Sequence, residues 1–179
     1  MIFGDPHRFA IWVEYVPQWS DSYRNGLFCL IINGNMYPDN IRVSTLSVDL
    51  YEIIDNDCAL VSQPKNESIF GLSKKDAFNR LFKLVYPEPS EEDEYPEQDF
   101  DYCVMSSNVS DSGCCFFVVA DEYLVRIIGG KTEQLVESED GNYWEHIEQP
   151  IIEDVILSKD EINKIINDVR DYSLTTLKQ

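Results

Sequence analysis

The stretch Tyr86–Tyr102, YPEPSEEDEYPEQDFDY, sets eight acidic side chains and three prolines in one run without a Lys or Arg. Unpaired carboxylates are costly to bury, and proline withholds a backbone donor from helix and sheet alike. Such a run stays on the surface as a loop, and the elements before and after it must build the core between them. The expected layout is one domain over residues 1–179, with an acidic surface loop at about 87–99.

The acidity is not spread evenly. The formal charge of the 179-residue chain is −19. Residues 86–154 hold 19 acidic and 2 basic side chains, a net of −17, and the remainder holds 14 acidic and 12 basic, a net of −2. The excess is densest in two clusters, Tyr86–Tyr102 and Glu133–Asp154. A field of this sign repels nucleic acid and anionic membrane and steers basic partners, at a rate that falls with salt. Direct binding of nucleic acid or of a membrane surface is therefore disfavoured, and a basic protein is the expected partner.

Around the loop the chain reads as α+β. RFAIWVEYV (Arg8–Val16) alternates with Phe9, Ile11, Val13 and Tyr15 on one side, the period of a strand. LFCLII follows, and Asn33-Gly34 signals a two-residue hairpin. Leu46, Leu50, Ile53 and Ile54 have helical spacing behind Ser44 or Thr45 as a cap, and KKDAFNRLFKLV after Ser73 does the same until Pro87 stops it. Beyond the loop, YCVM, CCFFVVA, YLVRII, EQLVE and IIEDVIL read as strands joined by turn-rich links, with Gly129-Gly130-Lys131 as one turn. Ser158 to Glu161 form a capping box ahead of Ile162, Ile165, Ile166 and Val169. The expected fold is an antiparallel sheet, an N-terminal hairpin plus a C-terminal meander, with about three helices.

Catalytic and metal patterns are sparse. His7 and His146 belong to no ligand motif, and His146, alternating with Trp144 in YWEHIEQ, reads as a hydrogen-bonded strand histidine. The five cysteines lie mostly within apolar runs with no CxxC spacing, which fits reduced thiols in a cytoplasm. Cys114 and Cys115 are adjacent strand residues and point to opposite faces. No phosphate-binding loop or nucleophile elbow is present. The start, MIFGDPHRF, lacks the basic-then-apolar pattern of a signal peptide, and no apolar run approaches the ~20 residues needed to span a bilayer. The reading is a cytoplasmic protein that is not an enzyme and needs no metal or cofactor.

Aromatic side chains interleave the acids: Tyr86, Tyr95, Phe100 and Tyr102 in the first cluster, Tyr143 and Trp144 in the second. Aromatics among carboxylates can anchor an interface while the acids steer the partner. The alternative is that Phe100 and Tyr102 pack inward and leave mainly Tyr95 outside.

The opening MIFGDPHRFAIWVEYVPQW, the hairpin GLFCLIINGNMYP and the following TLSVDLYEI together resemble the immunity protein 42 family. The resemblance covers about the first third of the chain. It implies a cytoplasmic antidote, encoded beside a toxin of a bacterial polymorphic or contact-dependent inhibition system, that binds the toxin's C-terminal domain. Many such toxins are nucleases with basic clefts, which an acidic surface could occupy. The expected toxin-binding residues are Glu91, Glu92, Asp93, Glu94, Tyr95 and Glu97 in the first cluster, and Glu137, Glu139, Asp140, Tyr143, Trp144 and Glu145 in the second. The rival readings are an acidic nucleic-acid mimic acting on a DNA-binding protein, a small enzyme, and a domain whose acids serve only solubility.

Overall fold

The computed structural model describes residues 1–19, 23–138 and 141–176. Strands β1 (Ile2–Asp5), β2 (Phe9–Tyr15), β3 (Asn25–Ile32) and β4 (Asn35–Tyr37) form an antiparallel sheet in chain order, and the short β5 (Ser44–Thr45) pairs with the start of β3. The β3–β4 hairpin turns at Asn33 and Gly34, with φ of 53° and 86°. Both residues adopt the left-handed conformation that a two-residue turn of matching twist requires, which is why Asn-Gly signals it.

Helix α1 (Leu46–Ile54) follows, then the single turns α2 (Ala59–Ser62) and α3 (Glu67–Phe70), and helix α4 (Lys74–Val85). The Ser73 hydroxyl accepts from the Asp76 backbone N–H at 3.2 Å and caps α4. After the acidic stretch come the turn α5 (Ser107–Ser110) and strands β6 (Cys114–Ala120), β7 (Leu124–Lys131), β8 (Glu133–Val136), β9 (Tyr143–His146) and β10 (Glu153–Ser158). The chain closes with α6 (Lys159–Thr176). Its start is the capping box: the Ser158 N–H and hydroxyl donate to Glu161 Oε2 at 2.8 and 2.9 Å, and the Glu161 N–H donates back to Ser158 Oγ at 3.2 Å.

The second sheet has the order β10-β7-β6, all antiparallel, and its strands β6 and β7 are buried on both faces. Phe116, Val118 and Ala120 point into a core shared with Phe9, Ile11, Phe28 and Leu30 of the first sheet, Leu50 of α1 and Ile162, Ile166 and Val169 of α6. Phe117 and Val119 point the other way, against Ala77, Phe78, Leu81 and Val85 of α4 and against Ile69. Burying both sides of a strand demands a continuous apolar run, which CCFFVVA is. Each fully buried Leu, Ile or Phe contributes about 2 kcal/mol.

Polar clasps join the layers. Glu153 of β10 is buried and accepts from Asn33 Nδ2 at 2.9 Å, Asn35 Nδ2 at 2.7 Å and the Tyr37 hydroxyl at 3.1 Å. Asp49 of α1, also buried, accepts from Ser44 Oγ at 2.5 Å, Ser106 Oγ at 2.8 Å and the Asn108 N–H at 2.9 Å. Burial raises the Asp49 pKa above the ordinary carboxylate value, and these hydrogen bonds oppose the rise.

The α+β class, the antiparallel pairing, the N-terminal hairpin and the three longer helices are as expected from sequence. Details differ. YCVM contributes a single bridge, Cys103 opposite Phe117, instead of a strand. Gly129 and Gly130 lie inside β7, not in a turn. A Cβ on Gly130 would lie 2.2 Å from the Ile151 carbonyl oxygen, so glycine is needed for two backbones to approach. Among the described residues, strands β8 and β9 pair only with each other, as a ribbon that comes in the chain between β7 and β10, which themselves pair directly.

Candidate functional site

Residues 86–102 contain neither helix nor strand, and the side chains of Glu91, Glu92, Asp93, Glu94, Tyr95 and Glu97 are all exposed. Tyr95 is the most exposed large hydrophobic side chain among the described residues, at 84%. The loop is nevertheless tied down at both ends. The last carbonyls of a helix lack intrahelical partners. Gln98 Nε2 donates to the Val85 carbonyl oxygen at 2.7 Å, and the Asp99 N–H donates to that of Leu84 at 2.8 Å. Both ends of the loop thus sit on the final turn of α4, in the manner of an Ω-loop. Midway, the Ser90 N–H donates to the Asp93 carbonyl oxygen at 2.9 Å, and the Asp93 N–H donates to Ser90 Oγ at 3.1 Å. Of the loop's acids only Glu88 has an ion pair among the described residues, with Lys83 at 3.4 Å. The others present uncompensated charge to solvent.

The aromatic residues at the loop's far end divide. Tyr102 turns inward and its hydroxyl accepts from Asn66 Nδ2 at 3.1 Å, whereas Phe100 stays exposed. The inward reading of sequence therefore holds for Tyr102 alone.

The second cluster lies on the β8–β9 ribbon. Its register sets Glu133 opposite His146, Gln134 opposite Glu145, Leu135 opposite Trp144 and Val136 opposite Tyr143. Side chains alternate between faces, so Trp144 and His146 share one face while Tyr143 and Glu145 share the other. The Trp144 face turns to the body: a Cβ on Gly113 would lie 3.0 Å from Trp144 Cζ3, and the Gly113 carbonyl oxygen accepts from the Thr132 and Glu133 N–H groups. Tyr143, Trp144, Glu145 and Glu137 are all exposed. Glu139 and Asp140 lie outside the described residues. His146 is a strand residue at the surface, with Nδ1 3.3 Å from the Thr132 carbonyl oxygen and 3.7 Å from Glu133 Oε1.

The roots of the two clusters meet. A cleft of about 360 Å³ opens between the end of α4 and the ribbon, and Tyr86 and Glu88 face Glu133 and His146 across it. The Phe82 and His146 ring centroids are 6.4 Å apart at its floor. Among the described residues no hydrogen bond or ion pair links Glu91–Glu97 to the ribbon. Sequence reasoning passed over Glu88 and Glu133 as contributors to one site. Both were visible in the acid count, but nothing local signalled that they face each other.

Reactive groups are muted. Burial, then Asp99, pushes the Cys103 thiol up to about 12, and burial, then Asp49, pushes Cys29 up to about 11. Among the described residues no three His, Cys, Asp or Glu side chains are grouped to hold a metal ion, and no helix is long and apolar enough to cross a membrane.

The two-layered α+β body thus holds an acidic loop and an exposed aromatic ribbon beside one cleft. Its family follows from the sequence match: the model of immunity protein 42 covers residues 1–172, and the chain belongs to that family. The fold is similar to that in the crystal structure of CdiI from Burkholderia dolosa AUO158, with a TM-score of 0.71 and 25% identity over 97% of this chain and 100% of that one. No curated protein matches the chain.

Proposed function

We propose that this chain is a cytoplasmic, non-enzymatic immunity protein that binds and neutralises the C-terminal domain of a cognate bacterial toxin. The observation that carries the reading is the family match over residues 1–172. The likeness to a CdiI supports a toxin of the contact-dependent inhibition kind.

The acidic loop and the β8–β9 ribbon make the toxin-facing surface. Glu91, Glu92, Asp93, Glu94 and Glu97, with Glu137, Glu139, Asp140 and Glu145, steer a basic domain, and Tyr95, Tyr143 and Trp144 anchor it. Two features support this. Apart from Glu88, which pairs with Lys83, the loop's carboxylates have no ion pair among the described residues, so their field reaches into solvent. The loop is also held at both ends, which lowers the ordering cost on binding. A toxin whose own substrate is an anionic polymer, such as a nuclease, has the matching basic cleft.

The test is to find whether a large secreted protein with a terminal toxin domain is encoded beside this chain, to co-purify the chain with that domain, and to follow their association by stopped flow at several salt concentrations. Changing Glu91, Glu92, Glu94 and Glu97 together to Lys is expected to slow association about tenfold or more at low salt and to flatten its salt dependence. An unchanged association rate at low salt would remove the acidic loop from the interface.

A further inference from the structure

The cleft between the end of α4 and the ribbon does not stop at Tyr86. A second hollow, of about 260 Å³, shares Tyr86, Ser110, Cys114 and Cys115 with it, so the two form one groove. The groove runs from Glu133 and His146 of the ribbon, past Tyr86, to Phe100 and Met105. Both ends of the acidic loop line it, Glu88 at one and Phe100 at the other, and so does the turn α5. The Phe82 and Tyr86 rings lie against each other in it, centroids 4.8 Å apart, and Tyr86, Phe100 and Met105 are exposed.

The charged side chains that line the groove are Glu52, Glu88, Asp111 and Glu133 against Lys83, with His146 beside Glu133. Four carboxylates and one ammonium leave a net of −3 when His146 is neutral. Lys83 is already occupied by Glu88, 3.4 Å away. Glu52 accepts from the Ser107 N–H at 2.6 Å and its hydroxyl at 2.7 Å, bonds that hold the carboxylate without cancelling its charge. Asp111 is exposed and has no ion pair among the described residues, and Glu133 has only His146, at 3.7 Å. Burial, then Cys115, Cys103 and Glu133, raise the Tyr86 pKa, so its phenol lies in the field of the groove floor and of Glu133.

We infer that this groove, resting on the toxin-binding reading above, receives an arginine side chain of the toxin domain, its planar cation against the Tyr86 ring and facing the groove's carboxylates. Charge complementarity selects that occupant. An anionic group is repelled by the groove and by the acidic loop beside it. An uncharged side chain would strip water from the carboxylates and offer them no partner. A lysine brings the charge, but its ammonium is compact and strongly hydrated, whereas a guanidinium lies flat on an aromatic face and donates from its edge. The groove acts at contact, unlike the loop, which acts at a distance.

The test follows association and dissociation of the full chain with the toxin domain sought beside it. Tyr86→Ala is expected to speed dissociation at least tenfold and to leave the association rate unchanged, whereas reversing the loop charges slows association. Asp111→Lys alters an exposed side chain that bonds to nothing in the fold, and it is also expected to speed dissociation at least tenfold. When each arginine of the toxin domain is changed to Ala in turn, one is expected to cause a loss that adds nothing further to that of Tyr86→Ala. Lys at that same toxin position should restore only part of the binding. Dissociation of both variants at the parent's rate, or coupling of Tyr86 to a lysine or an uncharged residue, overturns the arginine groove and leaves toxin binding standing. Absence of such a domain, or failure of the unaltered chain to bind it, overturns the toxin reading and the groove with it.

Discussion

The side-chain amide of Gln98 donates to the backbone carbonyl oxygen of Val85 at 2.7 Å, and this bond closes the acidic loop onto the end of α4. A segment with eight carboxylates gains nothing from an apolar core, so its shape depends on such polar ties. Helix α4 offers them because its last carbonyls would otherwise go unpaired.

Gln98→Ala is therefore expected to loosen the loop without unfolding the body. The lost hydrogen bond costs about 1 kcal/mol, a fall in Tm of about 2–4 °C for a chain of this size. Hydrogen–deuterium exchange should rise over residues 86–99 and at Asp99, whose N–H donates to Leu84. Unaltered exchange in the loop would mean that the bond does not hold it.

Arg126 is the buried cation of the second sheet. Its Nε and Nη2 donate to Asp154 Oδ1 and Oδ2, both at 2.8 Å, and Nη1 donates to the carbonyl oxygens of Phe70 and Leu72. Arg126→Ala leaves Asp154 uncompensated and two carbonyls without their donor, and is expected to cost about 3–5 kcal/mol. Arg126→Met combined with Asp154→Leu should recover much of that loss, since no charge is then left unpaired. Urea melts of the three proteins decide the matter, and equal losses in single and double variants would refute it.

The capping box at α6 makes part of the stability pH-dependent. The Ser158 N–H, then the Ser158 hydroxyl, then Arg8 hold the Glu161 carboxyl below its ordinary value of 4.5. Its folded-state pKa lies below the unfolded one, so its stabilisation is complete above about pH 4.5 and disappears as pH falls through the folded value. The contact with Arg8 is half-exposed and adds little, leaving the cap at about 1 kcal/mol. Glu161→Gln is expected to lower Tm at about pH 7, with the difference shrinking as the pH falls through the depressed folded-state value. A Tm difference that persists in acid would place the effect elsewhere.

What could be read from sequence was local. Asn33-Gly34 specifies its turn through two left-handed residues, and Ser158 and Glu161 specify a helix start through reciprocal bonds three residues apart. Phe9, Ile11 and Val13 specify a buried strand face through alternation alone. The misreadings have a common cause. Gly129-Gly130 resembled a turn because the carbonyl that crowds Gly130 belongs to Ile151, twenty-one residues away. EQLVE read correctly as a strand, but nothing in it reveals that it pairs with YWEH while β10 pairs with β7.

The sequence by itself determined that this chain is α+β, that its charge is concentrated between residues 86 and 154, and that the Tyr86–Tyr102 stretch must lie on the surface. These follow from hydrophobic period, from counting, and from the cost of burying carboxylates. Only the tertiary structure decided that the loop returns to the helix it leaves, that its root faces the β8–β9 ribbon across a cleft, and that basic α4 forms one wall beside them. Each depends on contacts between residues distant in the chain, where side-chain chemistry permits many partners and packing of the shared β6–β7 strands selects one.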